Sequence, residues 1–119
     1  MRHKLIKIPI WDRDCILVVG GDWRNILLIA KKYRLSKQTQ DDIIKDAIRH
    51  DDRGAGYWCF DKGTGIVWFS RPRVDTLTLA HEVTHIVDFL LMFIGAEKEM
   101  EARAYTTEFL MSEIRKNLK

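Results

Sequence analysis

From about Asp75 to Ile94 the chain offers one long helix, and Gly95 stands where such a helix would close. Leu79, Val83, Ile86, Val87, Leu90 and Ile94 fall on one broad face at helical spacing. A helix with that much apolar surface must lie on something, and the rest of the sequence indicates what. "KLIKIPIWD" and "CILVVGG" read as two β-strands split by the polar turn "DRD". Pro9 inside the first points to an edge position or an irregular start. "RGAGYWCFDKGTGIVWFS" is a hairpin, two aromatic and β-branched runs around "DKGTG", whose glycines permit positive φ.

Two helices stand between these strand pairs. "GDWRNILLIAKKYRL" takes Asp22 as its N-cap and Ile26, Leu27, Ala30 and Tyr33 as its apolar stripe. "SKQTQDDIIKDAIRHD" takes Ser36 as its cap and would bury Ile43, Ile44, Ala47 and Ile48. A last helix runs from about Lys98 to Lys116. The order β-β-α-α-β-β-α-α predicts an α+β fold, with helices packed on one face of a small, mostly antiparallel sheet.

At 119 residues the chain is expected to form one domain, residues 1–119, with a core that needs no staples. No apolar run approaches the ~18 residues of a membrane span, and the start lacks a signal-peptide core, so a cytoplasmic protein is expected. Cys15 and Cys59 lack CxxC spacing and sit in strand-like runs, which suits two reduced core thiols. The net charge of +3 is uneven. Residues 1–50 hold 11 Lys and Arg against 6 Asp and Glu, whereas residues 51–119 hold 9 against 11.

The chemistry lies in "AHEVTHIVDF", residues 80–89. His81, His85 and Asp88 fall on a different face from the apolar stripe. Four residues make little more than one turn, so the two imidazoles stand ~6 Å apart along the axis and can converge on one ion. Catalytic zinc takes three protein ligands and leaves a position open. Glu82 projects beside such an ion, placed to act as a general base. The metzincin route to a third ligand is closed, because Asp88 and Leu91 stand where glycine and histidine would be needed. The next helix offers Glu97, Glu99, Glu101 and Glu108. From His85 to Gly95 is ~15 Å of helix, so Glu97 and Glu99 sit too near the turn, Glu101 fits better and Glu108 fits less well.

"LAHEVTHIVDFL" followed by "MEARAYTTEFLM" resembles the gluzincins, the HExxH peptidases with a glutamate third ligand, and in particular small phage and bacterial metallopeptidases of the ImmA/IrrE type. The likeness covers roughly residues 75–112. It implies a minimal zincin-like domain that binds zinc through His81, His85 and Glu101, with Glu82 as the base and a peptide or protein as substrate. It further suggests Tyr105, one turn after Glu101, as a donor to the oxyanion of a tetrahedral intermediate; a packing role is the alternative. Asp88 would orient an imidazole or stay solvated. The strand "GIVWFS" would lie beside the site as an edge that pairs with extended substrate, where Trp68 and Phe69 would line a pocket or belong to the core. Thr84 stands between the histidines where glycine is commoner.

Two other functions fit parts of the chain. A catalytically silent zincin-fold interaction module would bind metal without turnover. A nucleic-acid binder would use "IAKKYRLSKQTQDDIIKDAI" as a helix-turn-helix. Arg34 in place of the usual turn glycine weakens that reading, as do Asp41, Asp42 and Asp46, which repel phosphate.

Overall fold

The computed structural model describes residues 1–47 and 53–118. The elements follow the expected order: β1 (Arg2–Ile8), β2 (Arg13–Val19), α1 (Trp23–Lys32), α2 (Lys37–Ala47), β3 (Gly54–Cys59), β4 (Thr64–Phe69), α3 (Thr76–Ile94) and α4 (Met100–Asn117). The strands form one mixed sheet in the order β1-β2-β4-β3. β1 and β2 pair antiparallel, as do β3 and β4, while β2 and β4 run parallel with Ile16 opposite Ile66. The parallel pair requires a crossover, and α1 and α2 provide it. Pro9 lies just past β1, in the turn that leads to Asp12, and β1 is an edge strand.

Helices cover both faces of the sheet, not one. Cys15, Leu17, Val19, Val67 and Phe69 point into a cluster with α3 and α4. Their neighbours Ile16, Val18, Ile66 and Trp68 point the other way, into a cluster with Ile26, Ile29 and Ala30 of α1 and Ile43 of α2. The reason is legible in "CILVV" and "GIVWF", which are apolar at both parities. A strand buried on both sides has no polar alternation. Cys15 and Cys59 are free, buried and in different clusters, with the sheet between them. Burial, helped by the charge of Asp14, pushes the Cys15 thiol up to about 12.

The caps fall where the side chains allow. Asp22 accepts from Arg24 N while Asn25 accepts from the Asp22 amide, a reciprocal box. Ser36 Oγ accepts from Thr39 N. Arg34 takes a left-handed φ of 57° in the turn between α1 and α2, the conformation that a glycine would adopt at no steric cost. Ile44 is exposed, contrary to expectation, and Ile48 lies outside the described residues. α3 is the one helix among the described residues that is long and apolar enough to cross a membrane by length and composition. Its Leu79, Val83, Ile86, Val87, Leu90 and Leu91 are buried in the core.

The position of α3 depends on missing side chains beneath it. A Cβ on Gly54 would come 3.0 Å from Trp68 O, 3.1 Å from Phe69 Cδ1 and 3.3 Å from Glu82 Cγ. One on Gly56 would meet Ile86 Cδ1 at 3.4 Å and Glu82 O at 3.5 Å. Both glycines are on the face of β3 that α3 crosses, so the strand yields space and the helix comes close. Gly54→Val is expected to destabilise the protein by roughly 1–3 kcal/mol through overpacking. A urea midpoint unchanged from wild type would refute this.

Candidate metal centre

Asp75 starts α3 by accepting from Thr78 N at 2.7 Å, and Gly95 ends it in the left-handed conformation, with φ 74°. Between them the apolar side faces the sheet, so His81 and His85 face solvent. Their Nε2 atoms are 3.2 Å apart, and the rings meet edge to face at 86°. Two imidazoles that bind one tetrahedral zinc at about 2.0–2.1 Å need their nitrogens about 3.3 Å apart. In this structure the two ring nitrogens are at hydrogen-bond distance of each other, a spacing that also matches what one ion would need. Glu82 is 8 % exposed, and one of its carboxylate oxygens and both imidazole nitrogens lie within 4.8 Å of one another. His81, Glu82 and His85 form a group able to hold a metal ion. Thr84 turns its hydroxyl back to donate to Ala80 O at 2.7 Å.

α4 lies antiparallel beside α3. Near its start Arg103 reaches Asp88, and near its end Arg115 donates to Val74 O at 2.7 Å. Its buried stripe is Thr106, Leu110 and Ile114, and Thr106 Oγ1 accepts from the Trp11 indole at 2.8 Å. These anchors set the level of the other residues. Glu101 comes about level with Leu90, roughly 7 Å past His85 along the axis. It also projects about 200° round the helix from Arg103, the residue that faces α3. The structure thus leaves Glu101 exposed and outside the histidine group. Glu108 is level with the histidines but is exposed and outside the group as well. Tyr105 is 47 % exposed, on the same solvent side of α4.

Three sequence expectations are corrected here. Asp88 orients no imidazole; among the described residues its hydrogen-bond partner is Arg103, so it ties α3 to α4. The strand that carries Trp68 and Phe69 is no edge, because β4 lies between β2 and β3. Trp68 packs on the far face, where its indole donates to Gly20 O at 2.9 Å, and Phe69 is fully buried beneath Gly54. Neither can line a substrate pocket.

The open edge beside the site belongs to β3. A cleft of about 260 Å³ joins His81 and Glu82 to Gly54 at the start of that strand, with Arg53, Leu77 and Thr78 as its other walls. Sequence reasoning passed over Gly54, Gly56 and Arg103. Two glycines within a strand pattern were the available signal for the first pair.

No protein-family model, curated protein or solved structure matches the chain. The metal-binding geometry therefore stands on this chain's own residues.

The cap of this helix is sensitive to acid. The amide and hydroxyl of Thr78 hold the Asp75 carboxyl below the usual aspartate range. A folded-state value lowered in this way gives stabilisation that is full above the ordinary pKa of about 3.9 and is lost as pH falls through the lowered one. Asn caps helices as well as Asp but does not titrate. The stability of wild type relative to Asp75→Asn should therefore decline as pH drops from 5 towards 2, as read from paired thermal melts. A difference independent of pH would contradict the assignment.

Proposed function

We propose that this protein is a zinc-dependent peptidase of the gluzincin kind, and the observation that carries the proposal is the 3.2 Å separation of the His81 and His85 Nε2 atoms beside the Glu82 carboxylate. Two imidazoles with a carboxylate suit zinc among the divalent metals. Bound there, the ion would supply Lewis acidity, which brings the pKa of water towards neutrality and polarises a carbonyl.

The chain's own residues do the rest. His81 and His85 hold their rings at fixed separation because α3 fixes both backbones. Glu82, nearly buried at the floor of the cleft, accepts a proton from the attacking water as its oxygen adds to the peptide carbon. The same carboxyl then hands that proton to the departing amine nitrogen as the C–N bond breaks. The exposed edge of β3 gives an extended peptide backbone a partner next to the cleft.

Glu101 is the third ligand in this reading, supported by the resemblance of "EARAY" to the second gluzincin motif. Ligation would require the first turn of α4 to move, because Glu101 lies roughly 7 Å past His85 along the axis and projects away from α3. α4 starts at Glu99 without a side-chain cap, and the half-exposed Arg103–Asp88 pair contributes at most about 1 kcal/mol. Ala102, packed on the core next to Glu101, is what such a movement would have to displace.

The test is metal content by mass spectrometry after supplying zinc, alongside cleavage of a mixed peptide pool. Wild type should hold one zinc per chain. Glu82→Gln should keep the zinc and lose roughly 100-fold or more in turnover, and Glu101→Ala should bind zinc more weakly. Zinc retained with no cleavage in wild type would favour the silent interaction module. No zinc at all would end the reading. Zinc unaffected by Glu101→Ala would remove only the third ligand.

A further inference from the structure

The open edge of β3 continues past the catalytic end into a groove of about 450 Å³ between α2 and α3. Among the described residues its charged walls are Asp42 and Asp46 of α2 and Asp61 of the hairpin turn, with Lys45 against them. Phe60 and Phe89 form an aromatic wall. Phe60 is 47 % exposed, so its ring is accessible from the groove. Phe89 meets Phe60 edge to face at 6.2 Å and stacks on His85 at 6.4 Å, with 24° between the planes. The metal-binding imidazole and the groove wall are thus one aromatic run. Trp58 lines the same groove and is 5 % exposed; its buried Nε1 has no hydrogen-bond partner among the described residues. A buried donor without an acceptor in a groove wall suits an oxygen from a ligand.

We infer that this groove is the specificity subsite of the proposed peptidase and that it takes a basic side chain of an extended peptide, arginine ahead of lysine. The inference rests on the peptidase reading for its role and on the groove alone for its binding chemistry. Among the described residues the carboxylates outnumber the ammonium. Asp42 accepts from Gln38 at 2.9 Å and Asp46 pairs with the Tyr57 hydroxyl, yet both keep their negative charge, which attracts a cation. Phenyl faces favour a planar guanidinium, which stacks as well as pairs. Backbone groups of β3 hold the main chain, and the acidic, aromatic groove reads the side chain. The groove spans Gly56 to Phe60, two to six residues beyond Gly54, which is about 7–20 Å of strand. The basic residue therefore falls within a few residues of the bond that is cut.

The probes are two blocked nine-residue peptides of alanine and threonine, one with a central arginine and one with a central glutamate. Binding is read by fluorescence anisotropy on metal-free protein, so turnover plays no part. The arginine peptide should bind at least about tenfold more tightly, as one charged hydrogen bond of 1.5–3 kcal/mol implies. The surface double substitution Asp42→Lys with Asp61→Lys should abolish or invert that preference while leaving the thermal melt unchanged. Equal affinities, or no binding of either peptide, would overturn the subsite. So would a preference that survives the double substitution. Cleavage without arginine preference would sink the subsite and leave the peptidase standing; arginine preference without zinc or cleavage would do the reverse.

Discussion

The candidate site depends on how closely α3 lies on the sheet. Gly54 and Gly56 remove the Cβ atoms that would hold it away, and Ile86 and Glu82 occupy the space. With the helix seated, its apolar side is fully used against the strands. His81 and His85 can then face only solvent, and Glu82, at the boundary, is trapped between the helix and β3. One close approach therefore sets which residues are buried, which are presented and how near the edge strand runs to the chemistry.

Much of this was legible in the sequence, for identifiable reasons. Strong local signals, such as the caps at Asp22 and Ser36, the glycine at 95 and the spacing of the two histidines, specify their own surroundings. The expected helix from Asp75 to Ile94 differs from α3 by one residue at its start. Two-sided burial was also written in the strands, but the zincin resemblance implies an edge at "GIVWF". Its lack of polar alternation marks it as interior, and that misplacement carried Trp68 and Phe69 to the wrong role.

What the sequence does not carry is the relation between helices. The reach from the histidines to a glutamate on α4 was estimated from helical rise alone, which fixes level but not rotation. Rotation is set by the Thr106, Leu110 and Ile114 stripe and by the Trp11 indole, 95 residues away in sequence. The pairing of Arg103 with Asp88 is likewise a tertiary fact, since the two residues lie 15 apart in sequence on different helices. The groove walls come from α2, the hairpin and α3, elements separated by up to about fifty residues, and no local motif links them.

The acids along the open edge bear on self-association. Edge strands invite a second copy of the same strand, and a two-fold axis would bring each residue of the contact against its own twin or close to it. Asp42, Asp46 and Asp61 flank the free side of β3, so pairing of two such edges would bring six carboxylates of the described residues into one seam, against the two copies of Lys45. On the proposed reading, the β3 edge would accept a cationic strand more readily than its own image.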